Sequence, residues 1–194
     1  MKPDRPAIGC VVLAAGNAER FGSNKLFARI DGKPLIERAF DAIPADRLHA
    51  VLVVTQYDGI AALAEKNGFR TVFNRRPELG LSRSVRLGTA SLRVSCDGIL
   101  YLVADQPWLK RASVSEMIDI FLEHPDHIVA LSHSGKRGNP CIFPKQYLDE
   151  LCALSGDRGG RSVIARHEDD LLLYEASSSE LKDIDTPEDI SLIE

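Results

Sequence analysis

The strongest constraint on the fold is an alternation of two patterns. Near-continuous apolar runs rich in Val, Ile and Leu ("AIGCVVLAA", "AVLVVT", "TVF", "GILYLVA", "HIVALS") are separated by stretches whose apolar residues recur at helical spacing. "PLIERAFDAI" puts Leu35, Ile36, Ala39, Phe40 and Ile43 on one face, with Pro34 suited to a first helical turn, and "IAALAEKNG" ends in a glycine stop. "SRSVRLGTASL" and "ASVSEMIDIFLEH" each open near serines able to cap a helix. Strands apolar on both faces need cover on both faces. The chain is therefore expected to form an α/β fold with a mainly parallel sheet between two helical layers, joined by right-handed crossovers. In such sheets ligands bind outside the carboxyl ends of the strands, which selects the loops that matter.

After residue 132 the pattern changes. "HSGKRGNPCIFPKQY" has a turn-rich start and a strand-like core, expected as a small β insertion before the helix "KQYLDELCAL". A glycine-rich turn "SGDRGGR", a short helix "SVIARHE", the strand "LLLYEA" and a helix beginning at Thr186-Pro187 follow. No internal repeat or long linker interrupts this order. With 194 residues, one domain over 1–194 is expected.

Three strand-end loops carry polar clusters. In "VVLAAGNAERFGSNK" (11–25), the small residues Ala14, Ala15 and Gly16 let a ligand approach backbone N–H groups, and Arg20 and Lys25 add two cations. The stretch matches neither G-x-x-x-x-G-K-[ST] nor G-x-G-x-x-G, which weakens a dehydrogenase reading. On a triphosphate, backbone donors and Arg20 would face the outer phosphates and Lys25 the phosphorus under attack. In "YLVADQP", Asp105 ends an apolar strand as an oxygen ligand suited to Mg²⁺. In "KDIDTPED", Asp183 and Asp185 alternate with Ile184 and would point the same way if extended. Thr186, Pro187 and the acids after them read as a helix start, leaving Asp185 as the second metal-ligand candidate. A phosphate loop, two cations and two separated acids suffice for nucleotidyl transfer, which needs positioning and charge neutralisation rather than a protein nucleophile. The five histidines show no metal-ligand spacing, and Ser82 and Ser84 most simply cap the helix after "NRRPELGL", whose N-terminus could also face the nucleotide.

Composition limits the partners. A net charge of -4 gives no general attraction to nucleic acid or anionic membrane, so any cationic site is local. Cys10, Cys96, Cys141 and Cys152 form no C-x-x-C pair and read as reduced. The apolar run at the N-terminus is too short for a signal peptide, and none later reaches membrane-spanning length, so a cytoplasmic location is expected.

With these loops in place, the chain resembles the molybdenum cofactor nucleotidyltransferases, and within them the cytidylyltransferase (MocA-like) branch. The pattern L-A-A-G-x-S-x-R-x-G-x-x-K is matched at Leu13, Ala14, Ala15, Gly16, Arg20, Gly22 and Lys25, and departs at Ala18, where a lost hydroxyl would cost about 0.5–1.5 kcal/mol of phosphate contact. "GLSRSVRLG" with Ser84, "DQP" at Asp105, "RGNP" at 137–140, "GDRGGR" at 156–161 and "DIDTPED" at 183–189 follow in order. The resemblance implies a Rossmann-type, glycosyltransferase-A-like enzyme that uses Mg²⁺, takes an NTP and releases pyrophosphate. It implies that Gly16, Arg20 and Lys25 hold the triphosphate and that Asp105 and Asp185 hold Mg²⁺. Arg137, Asn139 and Arg161 become acceptor-side candidates. The implied reaction joins CMP from CTP to the terminal phosphate of molybdopterin carrying molybdenum, supplying a xanthine dehydrogenase-type enzyme. The double alanine of "LAAG" is similar to the cytidine branch, whereas the guanylyl branch tends towards "LAGG". Competing readings are a guanylyltransferase, a sugar-phosphate or methylerythritol-phosphate cytidylyltransferase, and a non-catalytic cofactor-binding chaperone.

Overall fold

The computed structural model describes residues 5–16 and 24–191. The chain runs through β1 (Ile8–Ala14), a short hairpin of β2 (Arg29–Ile30) and β3 (Lys33–Pro34), α1 (Leu35–Asp41), β4 (Ala50–Thr55), α2 (Asp58–Lys66) and β5 (Arg70–Phe73). It continues through α3 (Leu81–Leu92), β6 (Gly98–Val103), α4 (Arg111–Glu123), β7 (Ile128–His133) and β8 (Lys136–Pro144). The last elements are α5 (Leu148–Cys152), α6 (Arg161–Ile164), β9 (Leu171–Glu175) and α7 (Pro187–Ser191).

Seven strands form the main sheet in the order β5-β4-β1-β6-β8-β7-β9. β8 pairs antiparallel with both β6 and β7, while the other pairings are parallel. The turn-rich segment after residue 132 is thus a strand as expected, and it lies inside the main sheet. The apolar runs are explained by burial on two sides. In β1, Cys10 and Val12 pack with Ile36 and Phe40 of α1, Ile60 of α2 and Met117 of α4. Val11 points the other way, to Val85 and Leu92 of α3, with Leu148 of α5 and Val163 of α6 in the same cluster. The outcome is three layers, α/β/α. All four cysteines are free, and burial pushes the Cys141 thiol up to about 12.

The serines of α3 and α4 do not cap their helices. Gly80 precedes α3 and Lys110 precedes α4, neither making a side-chain cap bond, while Ser82, Ser84 and Ser113 are buried within the first turns. Glu180, 2% exposed, instead accepts from the Lys110 N–H at 3.2 Å and from the Ser113 hydroxyl. The start of α7 follows expectation, with Asp189 reaching back to the Thr186 N–H at 2.8 Å as in a capping box. Among the described residues no helix is long and apolar enough to cross a membrane.

Candidate active site

β4 and β5 lie to one side of β1 and β6 to the other, so the strand order reverses between β1 and β6. Crevices at such a reversal, beyond the carboxyl ends of the strands, are the usual ligand sites of open α/β sheets. A cavity of about 530 Å³ opens there, lined by Leu13, Ala14, Ala15 and Gly16 after β1, Lys25, Ser84 of α3, and Asp105 and Asp185. That volume suits a nucleotide-sized ligand.

Lys25 is the hub. It opens a 3-10 turn, Lys25–Phe27, capped by the Asn24 side chain, which accepts from the Leu26 N–H. Its ammonium donates to Asp105 Oδ2 at 2.8 Å, to the Ile184 carbonyl at 2.9 Å and to Asp185 Oδ1 at 3.2 Å. Burial opposes this charge, but hydrogen bonds and charges from Asp105 and Asp185 outweigh it and hold the Lys25 pKa above the ordinary lysine value. Ile184 fixes the geometry: it is fully buried with Ile30, Leu35 and Trp108, and its N–H donates to the Asp105 carbonyl at 3.0 Å. The two acidic segments, 80 residues apart in sequence, are thereby locked side by side.

Asp183 and Asp185 do not share a direction. Asp185 faces Lys25, whereas Asp183 Oδ1 accepts from Gln106 Nε2 at 2.9 Å and lines a different cavity. Burial, then the nearby Asp105 carboxylate, raises the Asp183 pKa. Ser84 Oγ accepts from the buried Asn74 at 3.0 Å. Gly80, at φ +84°, lets α3 begin against the "GDRGGR" turn: a Cβ there would lie 2.6 Å from the Gly156 carbonyl oxygen and 2.5 Å from Asp157 Oδ1. Asp157 thus lines the first cavity, beside Ala14, Ala15 and Gly16 rather than with Arg161.

Arg137, Asn139 and Arg161 all line a second cavity of about 890 Å³. Lys136 adds a third cation, Leu171 and Leu173 add apolar wall, and Arg137 pairs with Glu168 at 3.2 Å. A third, smaller cavity of about 60 Å³ shares Leu13, Leu81 and Val103 with the first and Asn139, Cys141 and Arg161 with the second. Arg20, Ala18 and Gly22 lie outside the described residues.

For a divalent cation the donor set at Asp105 and Asp185 fits: hard carboxylate oxygens facing one cavity, already holding one positive charge between them. Among the described residues no group of three His, Cys, Asp or Glu side chains converges to hold a metal.

The profile of the MobA-like NTP transferase domain matches residues 10–171. The chain belongs to this family. It is a nucleotidyltransferase of the MobA-like type, with the fold that the alternating pattern predicts. PucB, a purine catabolism protein of Bacillus subtilis, is 29% identical over 94% of each chain. A probable molybdenum cofactor guanylyltransferase of Thermococcus gammatolerans is 36% identical over 73% of this chain and 66% of its own. Among solved structures, Rv0371c of Mycobacterium tuberculosis superposes with a TM-score of 0.81 at 21% identity, covering 97% of this chain and 98% of that one. A complex of the same protein with manganese gives 0.74, also at 21% identity, over 96% and 97% of the two chains. CMP:2-keto-3-deoxy-manno-octonic acid synthetase complexed with CTP gives 0.75 at 15% identity, over 96% of each chain. These structures share the Rossmann-like, glycosyltransferase-A type of nucleotidyltransferase fold.

Sequence reasoning passed over Thr55, Gln56 and Tyr57, whose side chains all bind the backbone of the Ala14–Gly16 stretch. No motif marks them. Their only sequence signal is a run of hydrogen-bonding side chains at the carboxyl end of the strand next to β1.

Proposed function

We propose that this chain, acting as one domain, transfers CMP from CTP to the terminal phosphate of molybdopterin carrying molybdenum and releases pyrophosphate. The observation that carries the reading is Lys25 held between Asp105 and Asp185 beside the Ala14–Gly16 loop, in one nucleotide-sized cavity. Lys25 would bind phosphate oxygens around the α-phosphorus, with Arg20 and the loop N–H groups on the outer phosphates. Asp105 and Asp185 would hold Mg²⁺, with substrate phosphates and water completing its shell; when bound, the ion supplies charge neutralisation on the triphosphate. Manganese in the Rv0371c complex supports a divalent ion in this fold. An acceptor phosphate oxygen attacks the α-phosphorus, a new P–O bond forms, and the bond to the β-phosphate oxygen breaks as pyrophosphate leaves. Lys136, Arg137 and Arg161 around the second cavity fit an anionic acceptor, and its apolar wall fits a ring system.

The acceptor assignment is supported by the name of the Thermococcus gammatolerans relative, and that name also favours a second base, guanine. The "LAAG" loop supports cytosine. The test is to mix purified protein with Mg²⁺, molybdopterin or molybdenum cofactor, and each of the four NTPs, and to measure pyrophosphate and dinucleotide. Dinucleotide with CTP supports the proposal, equal turnover with GTP overturns the base, and cofactor binding without turnover indicates a carrier.

A further inference from the structure

The β1–β4 ladder pairs Ala14 with Thr55 and ends there. Its register continues past that point through side chains. Thr55 Oγ1 donates to the Ala14 carbonyl at 3.0 Å, Gln56 Nε2 to the Ala15 carbonyl at 3.0 Å, and Tyr57 Oη to the Gly16 carbonyl at 2.9 Å. Each bond spans the same sequence separation, 41 residues. In a strand, successive carbonyls point to alternate sides. The Leu13 carbonyl faces β6, where it accepts from the Ala104 N–H at 3.3 Å, so alternation alone turns the Ala14 and Gly16 carbonyls to the β4 side. The Ala15 carbonyl, bound from that same flank by Gln56, is the one turned out of the strand pattern towards the β4–α2 loop.

That orientation matters because Ala14, Ala15 and Gly16 line the first cavity. A carbonyl oxygen aimed into it would repel phosphate, whereas N–H groups bind it. The strap also organises itself: Thr55 Oγ1 accepts from the Tyr57 N–H at 3.1 Å, a local turn that sets where the Tyr57 side chain begins. Thr55 is fully buried, so its hydroxyl has no water to turn to. Burial raises the Tyr57 pKa above the ordinary phenol value, in keeping with its role as a donor to the Gly16 carbonyl.

We propose that Thr55, Gln56 and Tyr57 are positioning residues for nucleoside triphosphate binding, acting by holding the carbonyls of Ala14, Ala15 and Gly16 away from the phosphates. The inference rests on the nucleotide-binding role of this loop, and it assigns the strap no contact with the acceptor.

The test compares the parent protein with Tyr57→Phe, Thr55→Val and Thr55→Ser. Dissociation constants for CTP and GTP are measured by calorimetry, KM for NTP and for acceptor by pyrophosphate release, and melting temperature by calorimetric scan. Tyr57→Phe, which keeps the ring and loses one donor, is expected to raise the NTP dissociation constant and KM about threefold to tenfold. Its acceptor KM and melting temperature should stay at parent values. Thr55→Val should do the same to NTP binding, with Thr55→Ser restoring it. NTP binding unchanged within twofold in Tyr57→Phe overturns the strap, as does an equal weakening of NTP and acceptor together with a lowered melting temperature. Should Thr55→Val fail to fold, Tyr57→Phe decides alone. A parent protein that binds no NTP overturns the functional reading, and the strap with it, whereas a parent that binds NTP beside unaffected variants overturns the strap only.

Discussion

Lys25 Nζ lies 2.8 Å from Asp105 Oδ2, and the Ile184 carbonyl completes the clasp at 2.9 Å. One cation thus joins the loop after β1, the end of β6 and the segment before α7. Under the proposed function, an ammonium that compensates two carboxylates would exchange that role for phosphate contacts on a triphosphate.

Lys25→Ala and Asp105→Ala should each lower the turnover rate more than tenfold, measured by pyrophosphate release. The pair is only partly shielded, at 17% and 24% side-chain exposure, so the stability cost should stay below about 2 kcal/mol by urea denaturation. Near-normal turnover in either variant would remove that residue from the chemistry.

Arg137→Ala and Arg161→Ala should act on the acceptor side. Each removes a charge-assisted contact worth about 1.5–3 kcal/mol, so acceptor KM should rise roughly tenfold or more. NTP affinity should be unchanged in a calorimetric titration, because both arginines line the second cavity. Parallel loss of NTP affinity would mean the two cavities are not separate subsites.

Gly80→Ala should destabilise the protein by about 2 kcal/mol or more, since the residue sits at φ +84° and its Cβ would meet the Gly156 carbonyl oxygen at 2.6 Å. The clash displaces the turn carrying Asp157 from α3, so NTP affinity should fall as well. A variant with parental melting temperature would contradict the close approach.

Glu180 gives a pH signature. Burial pushes its pKa up, but hydrogen bonds from Ser113, the Lys110 N–H and Ser177 and the Lys110 charge prevail and hold it below the ordinary glutamate value. A depressed carboxylate contributes stability that is full above its unfolded pKa and is lost as pH falls through the folded one. Glu180→Gln should therefore be less stable than the parent near pH 7, by about 1–3 kcal/mol, with the gap closing as pH drops below about 4.5. Urea denaturation across that range checks it, and a gap that widens on acidification would contradict the hydrogen-bonded carboxylate.

The layered sheet was legible because Cys10, Val11 and Val12 are fully buried in apolar clusters on the two faces, and that requirement is written directly in the apolar runs. Asp105 and Asp185 were legible as strand-end and helix-start acids. They could be grouped with Lys25 in one site, but the direct pairing of Lys25 with both acids could not be read, since it depends on Ile184 packing with Ile30, Leu35 and Trp108. Ser82 and Ser84 misled for a physical reason: a serine near a helix start suits a cap, but Gly80 and the packed "GDRGGR" turn already occupy that position, and the Ser82 N–H donates to the Gly156 carbonyl at 3.1 Å. The Thr55–Tyr57 strap escaped because side-chain-to-carbonyl bonds between neighbouring strand ends leave no periodicity. Pairing of β8 between β6 and β7 escaped because pattern fixes that a strand exists and not which edge receives it.

The most direct test follows the α-phosphorus. CTP labelled there is incubated with the protein, Mg²⁺ and molybdopterin carrying molybdenum, and the products are separated. The account predicts label in a cytidine dinucleotide with one pyrophosphate released per product, and loss of that product in Lys25→Ala. Label remaining in CTP, or transfer of the γ-phosphate instead, would contradict it.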